Sequence, residues 1–307
     1  MVNQQIFALI LIIFAGYLAK KIKIVNNSWV SILNNFAFYI AFPSLVFFNL
    51  ITSDLKSLFQ SNFFVLNFFS IIIFIFFVYF LCSLMKLKKE ERAIFTIACV
   101  FGNVAYLGIP VGQIVGGKEG EIVATLISVL YLLLVLTFGI FLLEYTSSQE
   151  KKIKIFFMNI LKLPLFWSIL LGIFFSFLKI PLPEFLVSSI KMLSQTASPV
   201  ALFAIGIFIC ECFLREKILL TFLLTFLKMI VFPAFIFLVF HFCYNNVKDL
   251  AFTISILQAS MPLAVTNFVL AKKYNFSPNL ISNAIFLSTL FAVGEIFLLV
   301  NFLNLKP

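Results

Sequence analysis

Apolar residues run through this chain in long unbroken stretches, not in the alternation of a half-buried strand. NFFSIIIFIFFVYFLCSLM at 67–85 is representative. A helix needs about 20 apolar residues to cross a bilayer. Cutting the pattern at its polar interruptions predicts ten such helices, over 5–19, 28–50, 61–85, 93–115, 121–144, 161–178, 185–210, 217–243, 249–271 and 277–303. A lipid-spanning strand would alternate apolar and polar residues over about ten positions, and that alternation is missing. Ten helices with short loops use up the chain and leave no room for an extramembrane domain.

The cations of the loops orient these helices. Fifteen Lys and Arg residues fall in one set of alternate loops: Lys20, Lys21, Lys23; Lys86, Lys88, Lys89, Arg92; Lys151, Lys152, Lys154, Lys162; Arg215, Lys217; Lys272 and Lys273. The other set holds five, Lys56, Lys118, Lys179, Lys248 and Lys306. Cytoplasmic loops carry the excess of positive charge, so both termini are expected outside. No basic region or small-residue cleavage site precedes the first apolar run, so it is not expected to be a cleaved signal peptide.

Composition narrows the class further. Apolar residues make up 63% of the 307 positions and charged residues 11%, against about 25% charged in soluble domains. Mean hydropathy is +1.15, and 44 Phe residues suit contact with lipid tails. The net charge of +10 is spread over short loops and forms no single basic face, so nucleic acid is not an expected partner. Five Cys residues without CxxC spacing and a single His (His241) give no metal site. With no GxxxxGK[ST] loop and both Asp residues (Asp54, Asp249) between helices, neither an ATP-driven pump nor an intramembrane protease is supported. No cofactor is expected, and a coupling ion, H⁺ or Na⁺, is left open.

The prolines repeat at about half the chain. Pro43 and Pro199 stand 156 residues apart, in FPSLVFF and SPVALFA, and Pro110 and Pro262 stand 152 apart. Five helices per half would enter from opposite sides, which predicts an all-α inverted 5+5 repeat with helices 4 and 9 broken. The repeats would be 1–145 and 159–307, joined by a cytoplasmic loop at 146–158.

The breaks are where chemistry concentrates. FGNVAYLGIPVG at 101–112 crowds Gly102, Gly108, Pro110 and Gly112 into a membrane segment. Pro110 has no N–H and its ring strikes the carbonyl of Tyr106, which predicts a break or kink there; Pro262 in LQASMPLAVTN frees the carbonyl of Gln258 in the same way. Freed backbone groups must line a cavity or meet protein. Gly and Pro are common in membrane helices, so one such segment means little. A matched pair in corresponding positions of two halves points to a transporter site. Each second half-helix would aim its N-terminus, about +0.5 charge with open N–H groups, at the membrane centre. That suits an anion, oriented by Asn103 and Gln258, with Tyr106 stacking or hydrogen bonding.

Two charges are embedded in the apolar text, Lys228 in the eighth segment and Glu295 in the tenth. Such residues are costly in lipid and default to functional hypotheses. Lys228 has four readings: it neutralises an anion, holds half-helix carbonyls, snorkels to the interface, or makes a structural bond to backbone. Glu295 either carries a coupling proton or pairs with Lys228. Lys191 and His241 are expected at interfaces.

Four segments resemble the auxin efflux carrier family, which includes bacterial malonate-type permeases: NVAYLGIPVG at 103–112, SPVALFAIGIFI at 198–209, LKMIVFPAF at 227–235 and QASMPLAVTNFVLAKKYNFSPNLIS at 258–282. The resemblance implies the bile-acid/sodium symporter type of fold, with helices 4 and 9 crossing at a carboxylate site and elevator-like alternating access. By position, Asn103 matches the polar residue of the first crossover, Pro110 and Pro262 the crossover prolines, and Lys228 a lysine of the eighth helix. The long central loop of the plant members is missing, and Glu295 departs from the family pattern. The expectation is therefore a secondary carrier of a small carboxylate in a bacterial inner membrane. A sodium-coupled symporter or a non-transporting sensor stands as the alternative, and a homodimer is left open.

Overall fold

The protein is described here by a computed structural model covering residues 2–53, 62–147, 161, 163–212, 217–243 and 249–302; the expected connecting loop at 146–158 lies almost wholly outside the described residues. Every regular element among them is a helix. In order these are α1 (Val2–Lys21), α2 (Ser28–Phe36), α3 (Phe42–Ile51), α4 (Phe63–Leu84), α5 (Lys89–Val100), α6 (Ile109–Leu134), α7 (Ile140–Thr146), α8 (Pro164–Leu178), α9 (Glu184–Gln195), α10 (Ala197–Ile209), α11 (Ile218–Phe226), α12 (Phe232–Cys243), α13 (Leu250–Ala259), α14 (Val265–Tyr274) and α15 (Pro278–Phe302). Among the described residues, seven helical runs are long and apolar enough to cross a membrane: Gln4–Lys21, Ser28–Ile51, Phe63–Leu84, Val104–Thr146, Glu184–Ile209, Ile218–Cys243 and Pro278–Val300. Large apolar side chains such as Phe76, Leu219 and Leu298 face outward, as contact with lipid requires.

The run Val104–Thr146 is not one rod. At Gly117 the backbone takes φ +59 and ψ −143, a conformation open to glycine. Gly112 and Gly120 would lie about 12 Å apart along a straight helix. A Cβ on Gly112 would instead sit 2.8 Å from the Gly120 carbonyl oxygen. The chain therefore doubles back at Gly116–Gly117 as a helical hairpin.

Three prolines share a local solution that sequence reasoning did not anticipate. A π-helical turn at Ala37–Ala41 precedes Phe42–Pro43, one at Val104–Gly108 precedes Ile109–Pro110, and one at Leu227–Val231 precedes Phe232–Pro233. Of the break or kink expected at Pro110, the structure has a π turn, with Pro110 the second residue of α6. The wider turn moves away the carbonyl that a proline ring would strike, so the helix continues through the site instead of ending.

Two compact units form. One comprises 1–61, 105–110 and 152–211, the other 62–104, 111–151 and 212–307, so each draws on both halves of the chain. In the first, α1 meets α10 backbone to backbone: Cβ atoms on Gly16 and Gly206 would stand 2.1 Å from the Phe203 oxygen and 1.9 Å from the Ile13 oxygen. Small residues permit such close helix approach. In the second unit, the first turn of α5 is tied to the starts of α11 and α15, because Glu91 accepts hydrogen bonds from Lys217 and from Ser277.

Burial works to raise the Glu91 pKa, but these hydrogen bonds outweigh it and hold the carboxyl below its ordinary value. A depressed carboxyl pKa stabilises the fold at neutral pH, and the benefit fades as pH falls through the carboxylate range. Glu91→Gln should therefore lower the melting temperature of the detergent-solubilised protein at pH 7. Acidification should erase the difference from wild type; a difference that persists in acid would separate it from Glu91 ionisation.

Candidate functional site

The second unit contains a crossover of two unwound segments. α5 stops at Val100 and Phe101 turns extended, at φ −80 and ψ 94. α13 stops at Ala259, and the chain re-enters a helix only after Ala264, extended at φ −71 and ψ 140. Pro262 sits inside this second gap, where it cannot continue a helix and biases Met261 away from helical dihedrals. The two segments satisfy one another as a short antiparallel bridge between Gly102 and Leu263. The Asn103 N–H donates to the Pro262 carbonyl at 2.6 Å, and the Ala264 N–H to the Phe101 carbonyl at 3.2 Å. This meets the requirement that backbone freed inside a membrane protein find partners.

Gly102 makes the bridge sterically possible. A Cβ there would lie 2.7 Å from the Met261 carbonyl oxygen and 3.0 Å from Nζ of Lys228. Lys228 is fully buried. Its ammonium donates to the carbonyl of Ala259 at 2.5 Å and lies 4.9 Å from the centre of the Phe232 ring. Ala259 is the last residue of α13, where the helix dipole is negative. The bond to the Ala259 carbonyl fits two of the readings of Lys228, the holder of half-helix carbonyls and the structural bond to backbone.

Polar side chains brace the same crossover. Asn267 donates to the Phe101 carbonyl at 2.8 Å, and Ser288 accepts from the Leu263 N–H at 3.1 Å. Ser128 donates to the Val104 carbonyl at 2.8 Å, and Gln258 donates to the Ala124 carbonyl at 3.1 Å. The Gln258 backbone carbonyl is not freed by Pro262, contrary to expectation, because the Met261 N–H takes it at 3.3 Å. Sequence reasoning missed Asn267, Ser128 and Ser288. All three are polar residues within apolar segments, where burial obliges them to find partners.

The nominated residues divide between the units. Asn103, Gln258, Pro262, Lys228 and Glu295 lie in the second, and Tyr106, Gly108 and Pro110 in the first. Asn103 is buried and held by its backbone at the bridge. Glu295 senses the charge of Lys228 and has the Ser260 hydroxyl beside it, while its Oε2 is buried without a hydrogen-bond partner. Tyr106 lies in the π turn, edge-on to Phe42 at 5.8 Å between ring centres. His241 and Lys191 are exposed.

The ends of the broken helices are treated differently. The negative end of α13 is neutralised by Lys228, whereas Ala264, at the positive end of α14, offers no side-chain cap. Each bridge segment runs directly into a helical N-terminus, at Val104 and at Val265. N-termini of this kind attract anions.

These features define a multi-pass helical membrane protein in which two unwound segments meet at a short bridge. The chain belongs to the membrane transport protein family, whose profile matches residues 1–300. It is 26% identical to an uncharacterized transporter of Methanocaldococcus jannaschii over 95% of this chain and 96% of that one. It is 25% identical to an uncharacterized transporter of Methanothermobacter thermautotrophicus, over 95% of both. It is also similar to auxin efflux carrier component 8 of Arabidopsis thaliana, at 34% identity over 36% of this chain and 30% of the plant protein.

Proposed function

We propose that this transporter is a secondary carrier of a small organic anion, a carboxylate, moved by alternating access. The observation that carries the reading is the asymmetry of the crossover. Lys228 removes the negative helix end from play, and two positive helix ends adjoin the bridge at Val104 and Val265. Asn103, at the last bridge position before the first of these, orients the anion.

The chain then crosses the membrane ten times as an inverted 5+5 repeat, with its Lys- and Arg-rich loops in the cytoplasm and both termini outside. Supporting this are the hairpin at Gly116–Gly117, which splits the longest run in two, and the breaks in α5–α6 and α13–α14. The shorter apolar helices Pro164–Leu178 and Leu250–Ala259 supply the remaining crossings. Sodium coupling is the weaker reading, since the Ala259 carbonyl at the crossover already holds an ammonium. Glu295, with a buried oxygen lacking a partner, is the candidate for a coupling proton.

Proteoliposomes loaded with labelled dicarboxylates test this directly; absence of flux for every carboxylate, with folded protein, would sink the reading. Asn103→Ala should cut flux by about 10- to 100-fold, the worth of one hydrogen bond to a charged group, with an unchanged melting temperature. The bridge uses only the backbone of Asn103, so the variant keeps its fold. Wild-type flux would remove Asn103 from the site.

A further inference from the structure

In the first unit, α3 and α8 touch at one level and separate at another. A Cβ on Gly172 of α8 would stand 2.8 Å from the Leu50 side chain of α3, so no space is left between them there. Two turns back along both helices, toward Pro43 and Pro164, they and α9 leave a groove of about 560 Å³. That is within the range of about 300–1,000 Å³ found for small-molecule sites. Its wall has little to offer a polar ligand. Pro43 and Pro164 have no N–H. The Ser44 hydroxyl donates to the Ile40 carbonyl, the Ser168 hydroxyl to the Leu165 carbonyl and the Trp167 indole N–H to the Leu161 carbonyl, each at 2.8 Å. Every polar side chain of the wall is thus paired with backbone, and what faces the groove is ring and hydrocarbon.

Depth decides what can reach it. Ser44 belongs to the apolar run Ser28–Ile51, about 24 Å from its start and about 10 Å from its end. The hydrocarbon core is about 30 Å thick, so the groove lies inside it. It is also continuous with the lipid-facing side of α8, where Trp167, Leu170, Leu171 and Phe174 are between 45% and 51% exposed. A partner helix, about 10–12 Å across, does not enter a cleft that closes at Gly172. A flexible hydrocarbon chain does.

We propose that this groove is a lipid site that binds one acyl chain of a bilayer phospholipid by apolar contact alone. The chain fills the splay between α3 and α8 and is retained there when the surrounding lipid exchanges. The site stands apart from the crossover and does not depend on which solute the protein carries.

Tryptophan fluorescence tests it. The chain has two tryptophans, Trp29 and Trp167, and Trp167 lines the groove. Trp29→Phe leaves Trp167 as the sole emitter, and bromine quenches an indole only at contact. Delipidated protein in detergent is titrated with phosphatidylglycerol carrying a dibrominated stearoyl chain. Trp167 emission should fall at least twofold and level off at one lipid per protein, and excess unbrominated lipid should restore it. On the same background Ser44→Leu, which fills the groove, should abolish the saturable phase; Leu171→Phe serves if that variant does not fold. Quenching that grows with lipid and never levels off is casual contact with an exposed indole and overturns the site. So does saturable quenching that persists unchanged in a natively melting Ser44→Leu variant. Absence of quenching overturns it as well, and a light-scattering mass of two chains would then assign the groove to a second copy.

Discussion

Replacing Lys228 by methionine abolishes most transport and leaves the folded protein about as stable as wild type. The two halves of this expectation come from opposing energies at one atom. Burying an ammonium costs several kcal/mol even after relaxation, and methionine fills similar volume without that cost. Against this, the variant leaves the Ala259 carbonyl without its donor, a loss of about 1–3 kcal/mol, and gives up the ammonium–Phe232 contact, worth about 2 kcal/mol when desolvated. The terms nearly cancel, so the melting temperature moves by only a few degrees.

Flux has no such compensation. Without the cation, the negative end of α13 stands open beside two positive helix ends, and an incoming anion meets repulsion. A charge-assisted hydrogen bond of about 1.5–3 kcal/mol corresponds to about 10- to 100-fold in binding. Proteoliposome flux and a fluorescence melt on the same preparation decide the matter. If stability collapses together with flux, Lys228 is a structural cap and nothing more.

The helical, membrane-embedded class and seven of the apolar runs were legible in the sequence because hydropathy in a membrane protein reports one thing, the partition of each segment between water and lipid. The break in α13–α14 was legible as well, since Pro262 lies inside the gap it makes. Pro110 was ambiguous because a missing N–H has two outcomes. The chain can stop, or it can widen by one residue into a π turn and continue, and hydropathy does not distinguish them. What ends α5 is the demand made by another segment, 159 positions away in sequence: the Met261 carbonyl presses where a side chain at 102 would be. A glycine standing in an apolar run announces that something passes close. It does not say what passes.

The same limit applies to the polar residues. Gln258 was read as orienting the anion; its amide N–H donates to Ala124 and braces α13 against the hairpin, while its Oε1 is buried without a partner. Asn267 and Ser288 perform the matching service for the bridge. A buried amide in an apolar segment signals a partner, and whether that partner is a backbone carbonyl or a solute depends on geometry that one sequence does not contain.

Gly102→Ala is the sharpest test of the crossover, because it adds one methyl group at its tightest point. That carbon would stand 2.7 Å from a backbone oxygen of Met261 and 3.0 Å from Lys228 Nζ. The lysine can shift at its flexible end; the Met261 carbonyl is held by the bridge itself and cannot move without parting Asn103 from Pro262. Overpacking of this kind costs about 1–3 kcal/mol. The strain falls on the hydrogen bonds that hold the two helix N-termini in place, so transport should be lost and the melting temperature should fall by several degrees.

Gly294→Ala supplies the control on the same unit. No atom lies within 4 Å of a Cβ at Gly294, and alanine is better than glycine inside a helix by about 1 kcal/mol. That variant should keep its flux and melt slightly higher, although it neighbours Glu295. If both alanines behave alike, the close approach at Gly102 does not govern the site. If they diverge as expected, the crossover is held by backbone contact that only glycine permits at position 102, and the proton candidate beside Gly294 tolerates the added methyl.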